Sequence, residues 1–170
     1  GDAHYHVLCQ CSPYHTHSAF HPVIRHLERA AGFAPEDGAA VKLAKLETLL
    51  ATAGAPTGAA TSLFADLLSL PADAVYAPIE LLPAQRKEAI IGALVDQVAR
   101  LAGREPVLFI VEDAHWVDPT TREMVARLID GIGSRRVLAI VTGRPDPSSP
   151  WSGSVSIARA LFLGRRRFCR

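Results

Sequence analysis

Several residue classes are scarce in this chain, and each scarcity excludes something. Three cysteines in 170 residues make an odd count and no disulfide framework, so a reducing, cytoplasmic compartment is expected. A formal net charge of +1 leaves no global field to draw nucleic acid or a membrane surface. The basic run Arg165-Arg166-Arg167 reads as a solvated end. No apolar stretch reaches membrane-spanning length, and no secretory leader opens the chain. Internal repeats and low-complexity tracts are absent, as is the G-x-S-x-G of a serine nucleophile elbow. No glycine is followed by lysine, so the phosphate loop G-x-x-x-x-G-K-[ST] does not occur. Gly1 stands where a methionine would begin a gene product, which suggests a fragment or a processed product. What remains is ordinary globular composition, 49% hydrophobic and 21% charged, long enough for one domain with a real core.

The chain is organised around Pro106–Thr120. Val107-Leu108-Phe109-Ile110-Val111 is an unbroken apolar run, and Glu112 and Asp113 follow it. A short run without alternation, rich in β-branched residues, predicts a strand buried on both faces of a parallel sheet. Acids at the carboxyl end of such a strand sit where open α/β sheets bind ligands. A carboxylate pair there can hold a hydrated divalent cation and orient a water beside a phosphate, which is the physical content of a Walker B element. The alternative is a buried strand that merely meets a polar loop.

Other elements follow from periodicity and punctuation. His4–Cys9 reads as a strand closed by Pro13. Ser18 is placed to cap a helix carrying Phe20, Val23, Ile24, Leu27 and Ala31, ended by Gly32. A second helix, from Pro35 or Gly38, buries Val41, Leu43, Leu46, Leu49 and Leu50 until Gly54-Ala55-Pro56. A third runs from about Thr57 to Ser69 on Leu63, Phe64, Leu67 and Leu68, and residues 71–82 read as loop. Pro83 opens a long helix striped by Ile90, Ile91, Leu94, Val95, Val98 and Leu101, with Gly103 as its stop. Asp118 caps a helix with Pro119 in its first turn and Met124, Val125, Leu128, Ile129 and Ile132 inward. Arg136–Val141 is a second buried strand. Pro145, Pro147 and Pro150 stiffen the link to a final strand within Ser154–Leu163, where Val155 and Ile157 alternate with Ser156 and Ala158. Strands alternating with helices predict an α/β fold with a doubly wound parallel sheet.

Glu112-Asp113-Ala114-His115-Trp116-Val117-Asp118-Pro119-Thr120-Thr121 resembles the Walker B region of the STAND-type AAA ATPase domain. That domain follows the cyclase domain in many bacterial adenylate/guanylate cyclases and occurs in large LuxR-type regulators. Cys11-Ser12-Pro13-Tyr14-His15, His21-Pro22-Val23-Ile24, Lys42–Glu47, Pro83–Lys87 and Thr142-Gly143-Arg144-Pro145 resemble further segments of it, through Trp151. The resemblance implies a P-loop NTPase sheet over residues 1–170, incomplete at the amino end, with the first strand and phosphate loop lying ahead of His4. It implies ATP and Mg²⁺ as ligands, Glu112 and Asp113 holding the ion through water, and Asp113 polarising the attacking water. Arg144 resembles a sensor of the γ-phosphate, for which a planar bidentate donor is suited; the alternative is a surface arginine held in a turn by Pro145. Thr142 offers a hydroxyl to the same site. Many such ATPases carry Asp then Glu, whereas this chain has Glu112 then Asp113, which fits a slow nucleotide switch better than a fast ATPase. The partners implied are ATP and the other domains of a larger signalling protein, with no membrane or nucleic-acid contact by this segment.

Around that site, Trp116 reads as a packing anchor and His115 as a structural hydrogen-bonding group. The other readings are a non-enzymatic interaction fragment and a zinc domain built from His4, His6, Cys9, Cys11, His15, His17, His21 and His26. Their spacing matches no zinc finger. In sheets of the AAA type the phosphate-loop strand lies between the sensor strand and the final strand. Its loss would leave Val137–Val141 unpaired. Three outcomes are open: the last strand pairs there, another copy of the chain does so by self-association, or the edge stays open.

Overall fold

The computed structural model describes residues 4–54, 58–72, 75–133 and 135–144, and the backbone of 160–164. The expectations at Ala55, Pro56, Thr57, Pro145, Pro147, Pro150, Trp151, Val155, Ile157 and Arg165–Arg167 fall outside them. The chain divides into two compact units, Gly1–Val23 with Glu105–Arg170, and Ile24–Arg104.

The first unit is a parallel four-stranded sheet in the order β1-β2-β3-β4: β1 is Tyr5–Gln10, β2 Val107–Glu112, β3 Val137–Gly143 and β4 Ala160–Gly164. The fold is therefore α/β. Tyr5 pairs with Val107 and Val107 with Val137, so like-numbered steps along the strands share a face. On one face Val7, Cys9, Val107, Phe109, Val111, Val137, Ala139 and Val141 are all buried. On the other, Leu8, Leu108, Ile110 and Ile140 are half-buried and Leu138 is 45% exposed. Burial on both faces, as the apolar run suggested, is not what the strands show. Hydrophobicity records that a side chain can be buried, and only coverage decides whether it is. The edge of β3 is taken by the chain itself, with Ala139–Gly143 pairing in parallel with Ala160–Gly164.

After β2, Asp118 caps α5, Pro119–Gly131, accepting from the Thr120 and Thr121 amides, with Pro119 in the first turn. Thr121, Met124, Val125 and Leu128 are its buried side. The helix α1, His21–Ala30, starts differently from expectation. Ser18 supplies only its backbone carbonyl, to the His21 amide at 3.1 Å, and Phe20 adopts a left-handed φ of 59°. The far end follows the sequence closely. Gly32 takes φ +68°, and the Gly32 and Phe33 amides donate to the carbonyls of Arg29 and Glu28. That is a Schellman ending, which needs a residue tolerant of positive φ.

The second unit is helical and holds most of α1, from Ile24 on, with α2 Ala39–Ala51, α3 Gly58–Leu67 and α4 Pro83–Arg104. Gly38 is the N-cap of α2. Leu46, Leu50, Phe64, Ala65 and Ile91 are almost wholly buried. Gln97 of α4 is buried and donates to the Leu50 carbonyl at 3.4 Å. Arg104 donates to the Thr52 carbonyl at 3.0 Å, closing α2 with a cation where its dipole is negative. Gly103 does not stop α4, which continues to Arg104. Mid-helix glycine costs only about 1 kcal/mol, and tertiary contacts override that. No helix among the described residues is long and apolar enough to cross a membrane.

Candidate functional site

The carboxyl edge of the sheet gathers most of the residues singled out in the sequence. β2 lies between β1 and β3, and Glu112 is its last residue. The Glu112 carbonyl accepts from the Cys11 amide at 3.0 Å. Asp113 then leaves the strand in a left-handed conformation, φ 53° and ψ 43°. Aspartate tolerates that region better than most residues, though still at a cost of about 1 kcal/mol. The Asp113 amide donates to Thr142 Oγ1 at 3.3 Å, tying the acid turn to the end of β3. Thr142 thus accepts with its oxygen and keeps its hydroxyl proton to donate. A short 3₁₀ turn, Ala114–Trp116, follows. Gly143 passes close above it: a Cβ there would stand 3.5 Å from the His115 amide nitrogen. Arg144, one residue on, holds its guanidinium 5.8 Å from the centre of the Trp116 ring, a cation–π distance.

The charges at this edge are not, among the described residues, used up by the fold. Among the described residues, neither the Glu112 nor the Asp113 carboxylate accepts a hydrogen bond or forms an ion pair, and Arg144 meets only Trp116. Asp113 and Arg144 are exposed, and Glu112 is half-buried.

Asp118, five residues after Asp113, is the opposite. It is 1% exposed. Its Oδ1 accepts from the amides of Thr121 at 2.9 Å, Thr120 at 3.1 Å and, across the fold, Phe20 at 3.4 Å. Its Oδ2 accepts from the Thr121 hydroxyl at 2.5 Å. The cap was legible in the sequence, but the bond to Phe20 was not, because 98 residues separate the partners.

Cys11 shares this neighbourhood. Burial above all, then the negative charges of Asp118 and Asp113, pushes its thiol up to about 12 from 9.0. The group stays a thiol at neutral pH, unsuited to nucleophilic work. Sequence reading missed this proximity, although parallel pairing of β1 with β2 would have placed Cys11 beside the acids.

The histidines do not assemble a metal centre. Among the described residues no three of His, Cys, Asp and Glu stand together as a ligand set. His15 and His21 meet as a face-to-face stack, centroids 3.6 Å apart and planes 12° apart. Stacked rings turn their faces to each other, whereas the nitrogen lone pairs that bind metal lie in the ring planes. His115 differs from its expected role. Its Nδ1 is buried without a hydrogen-bond partner among the described residues, and its ring rests at 4.8 Å from that of Trp116.

For Mg²⁺ and a terminal phosphate the donor set fits: two carboxylates and a guanidinium without a hydrogen-bond or ion-pair partner among the described residues, and a hydroxyl with a proton to give, share one sheet edge. No glycine-rich cradle for inner phosphates occurs in the sequence.

No protein-family model and no solved structure matches the chain. It is similar to an uncharacterized protein, R02095, of Rhizobium meliloti (strain 1021), with 28% identity over 154 residues. The match covers 90% of this chain and 15% of that protein.

Proposed function

We propose that this chain is part of an ATP-binding regulatory module, a doubly wound P-loop NTPase domain of the STAND/AAA kind, within a larger signalling protein such as an adenylate/guanylate cyclase or a transcriptional regulator. The observation that carries the reading is the set of uncommitted charges, Glu112, Asp113 and Arg144, at the carboxyl edge of a parallel sheet. Charged groups without a hydrogen-bond or ion-pair partner among the described residues are candidates for ligand binding, and open α/β sheets bind ligands at that edge. The much longer relative supports a multidomain parent.

Bound Mg-ATP would supply a γ-phosphoryl group whose charge the ion spreads. Glu112 would hold the ion through water. Asp113 would accept a hydrogen bond from the attacking water, and Thr142 would donate its hydroxyl proton to a phosphate oxygen. Arg144 would serve the terminal phosphate as a charged donor. With no phosphate loop in the 170 residues, the chain alone does not hydrolyse ATP at a measurable rate.

The Trp116–Arg144 contact makes the test direct. In a Trp151→Phe background, Mg-ATP is titrated while Trp116 emission is followed, with the chain alone and with a longer stretch of the parent protein that includes upstream sequence. Binding weaker than about 1 mM is expected for the chain, and micromolar binding for the longer protein, lost in Arg144→Ala. A longer protein that carries a phosphate loop yet shows no Mg-dependent response would end the proposal.

A non-enzymatic interaction role is the second reading. Leu138, 45% exposed among the half-buried residues of the second sheet face, favours it. A well-folded longer protein indifferent to nucleotide would select it.

A further inference from the structure

The helical unit contains a partly enclosed cavity of about 230 Å³. Ser62 and Asp66 of α3, Tyr76 and Ile79 of the following segment, and Arg86 in the early part of α4 line it. Its polar contacts are long. Arg86 Nη1 reaches Asp66 Oδ1 at 3.3 Å, Arg86 Nη2 reaches the Ile79 carbonyl at 3.5 Å, and Ser62 Oγ donates to the Ala77 carbonyl at 3.4 Å. N–H···O bonds ordinarily lie at about 2.7–3.2 Å and O–H···O bonds at about 2.5–3.0 Å, so the contact to Asp66 is at the long limit and the other two are stretched. Arg86 Nε is buried without any hydrogen-bond partner among the described residues. A guanidinium has five N–H donors, and among the described residues this one makes two protein bonds, one of them an ion pair with Asp66 in which the Arg86 and Asp66 side chains are 42% and 31% exposed. The Tyr76 hydroxyl, in contrast, is firmly set on Glu47 at 2.6 Å and does not compete.

Under-satisfied polar groups around a cavity mark a place where a solute improves on the empty state. The charges define the solute. An anion drawn to Arg86 meets the Asp66 carboxylate beside it, and a cation drawn to Asp66 meets the guanidinium. A molecule carrying both charges a few bonds apart satisfies each. The volume corresponds to about seven waters of liquid, and so to a solute of similarly few heavy atoms.

We propose that this cavity binds a small zwitterion of the α-amino-acid class, its carboxylate on Arg86 and its ammonium on Asp66. The site lies within the helical unit and stands on its own observations, independent of nucleotide binding at the sheet edge.

The test titrates glycine, alanine and serine into the 170-residue protein by NMR, beside acetate and ethylammonium, which carry one charge each. Saturable shifts of Ser62 and Tyr76 amides are expected for an amino acid, with a Kd of about 1 mM and at least a tenfold preference over either single-charge probe. Arg86→Gln and Asp66→Asn should each weaken binding about tenfold or more while circular dichroism shows the helices intact. Where either variant loses helix content, Ile79→Trp, which fills the cavity and removes no charge, takes its place and must abolish saturation. The proposal is overturned if no amino acid saturates by about 50 mM, well beyond the expected Kd, if acetate binds as well as alanine, or if the folded variants bind like the parent protein.

Discussion

Asp113 and Asp118 are the same residue type five positions apart, and the fold treats them in opposite ways. Asp118 is sealed from water and accepts four hydrogen bonds, from three amides and a hydroxyl. Asp113 is exposed, strained into a left-handed backbone and, among the described residues, bonded through its backbone alone, the amide donating to Thr142 Oγ1 and the carbonyl accepting from the Trp116 amide. One carboxylate holds the loop before α1 to the start of α5. The other is held in place and left uncommitted. An aspartate whose charge is used up by the fold is architecture, whereas one kept exposed at a backbone cost is a candidate for chemistry.

The sharpest way to break the comparison is to remove each carboxylate in turn. Asp118→Ala strands the amides of Thr120 and Thr121 and the Thr121 hydroxyl in a buried place. It should cost about 3–5 kcal/mol in urea unfolding, enough to unfold a marginal domain. A loss below about 1 kcal/mol would show that Asp118 is no anchor.

Alkaline pH probes the space between the two acids. Cys11 has its folded pKa raised to about 12 from 9.0. Above pH 9 the unfolded chain releases this proton while the folded chain keeps it. Stability from this group is therefore complete below pH 9 and falls by about 1.4 kcal/mol per pH unit as pH rises toward 12. Cys11→Ser should flatten that part of the stability–pH curve. Curves for the two proteins that run parallel from pH 9 upward would contradict the raised value.

Changes at Asp113 should be smaller in stability and of either sign. Asp113→Val forces a β-branched side chain into the left-handed region and should lose about 1–2 kcal/mol. Asp113→Gly removes the strain and should gain up to about 1 kcal/mol. Asp113→Asn should leave stability within about 0.5 kcal/mol and yet remove the Mg-dependent response of Trp116 in the longer protein. If Asp113→Asn instead destabilises as strongly as Asp118→Ala, the distinction between the two acids fails.

The smallest effect lies at the end of α3. Ser69 stands at φ 53°, with its amide and that of Leu70 closing the helix on Asp66 and Ala65. Ser69→Gly should raise the thermal midpoint modestly, by about 0.5–1 kcal/mol of stability. A drop would mean that the serine side chain has a role the backbone does not reveal.

What the sequence made legible was local. The apolar run ending in Glu112 and Asp113, the Asp118–Pro119 start of α5, the Gly32 ending of α1 and Pro83 at the head of α4 each depend on neighbours within a few residues. What stayed hidden depends on residues far apart in the chain. The α1 start turns on Phe20 reaching Asp118. Arg144 was expected to point at a phosphate, and its contact with Trp116 follows only once β3 lies beside β2. The unbroken apolar run could not show that one face of the strands would be better covered than the other. The last strand was expected around Val155 and Ile157, which lie outside the described residues. The strand observed, Ala160–Gly164, overlaps only the end of that stretch, where no alternation marks it.

The pairing of Tyr5 with Val107 has a consequence in time. β1 must wait for a strand about a hundred residues further on, while β2 and β3 are about thirty apart. At translation rates of about 5–20 residues per second, β1 leaves the ribosome roughly 5–20 s before its partner exists. The helices encoded between them rest on contacts much nearer in sequence and are able to form first. The nascent chain thus carries an unpaired strand with Cys9, and Cys11 just beyond its end, exposed for that interval. Chaperone occupancy and thiol oxidation should both be greatest there, and both should fall when Val107 arrives and closes the sheet.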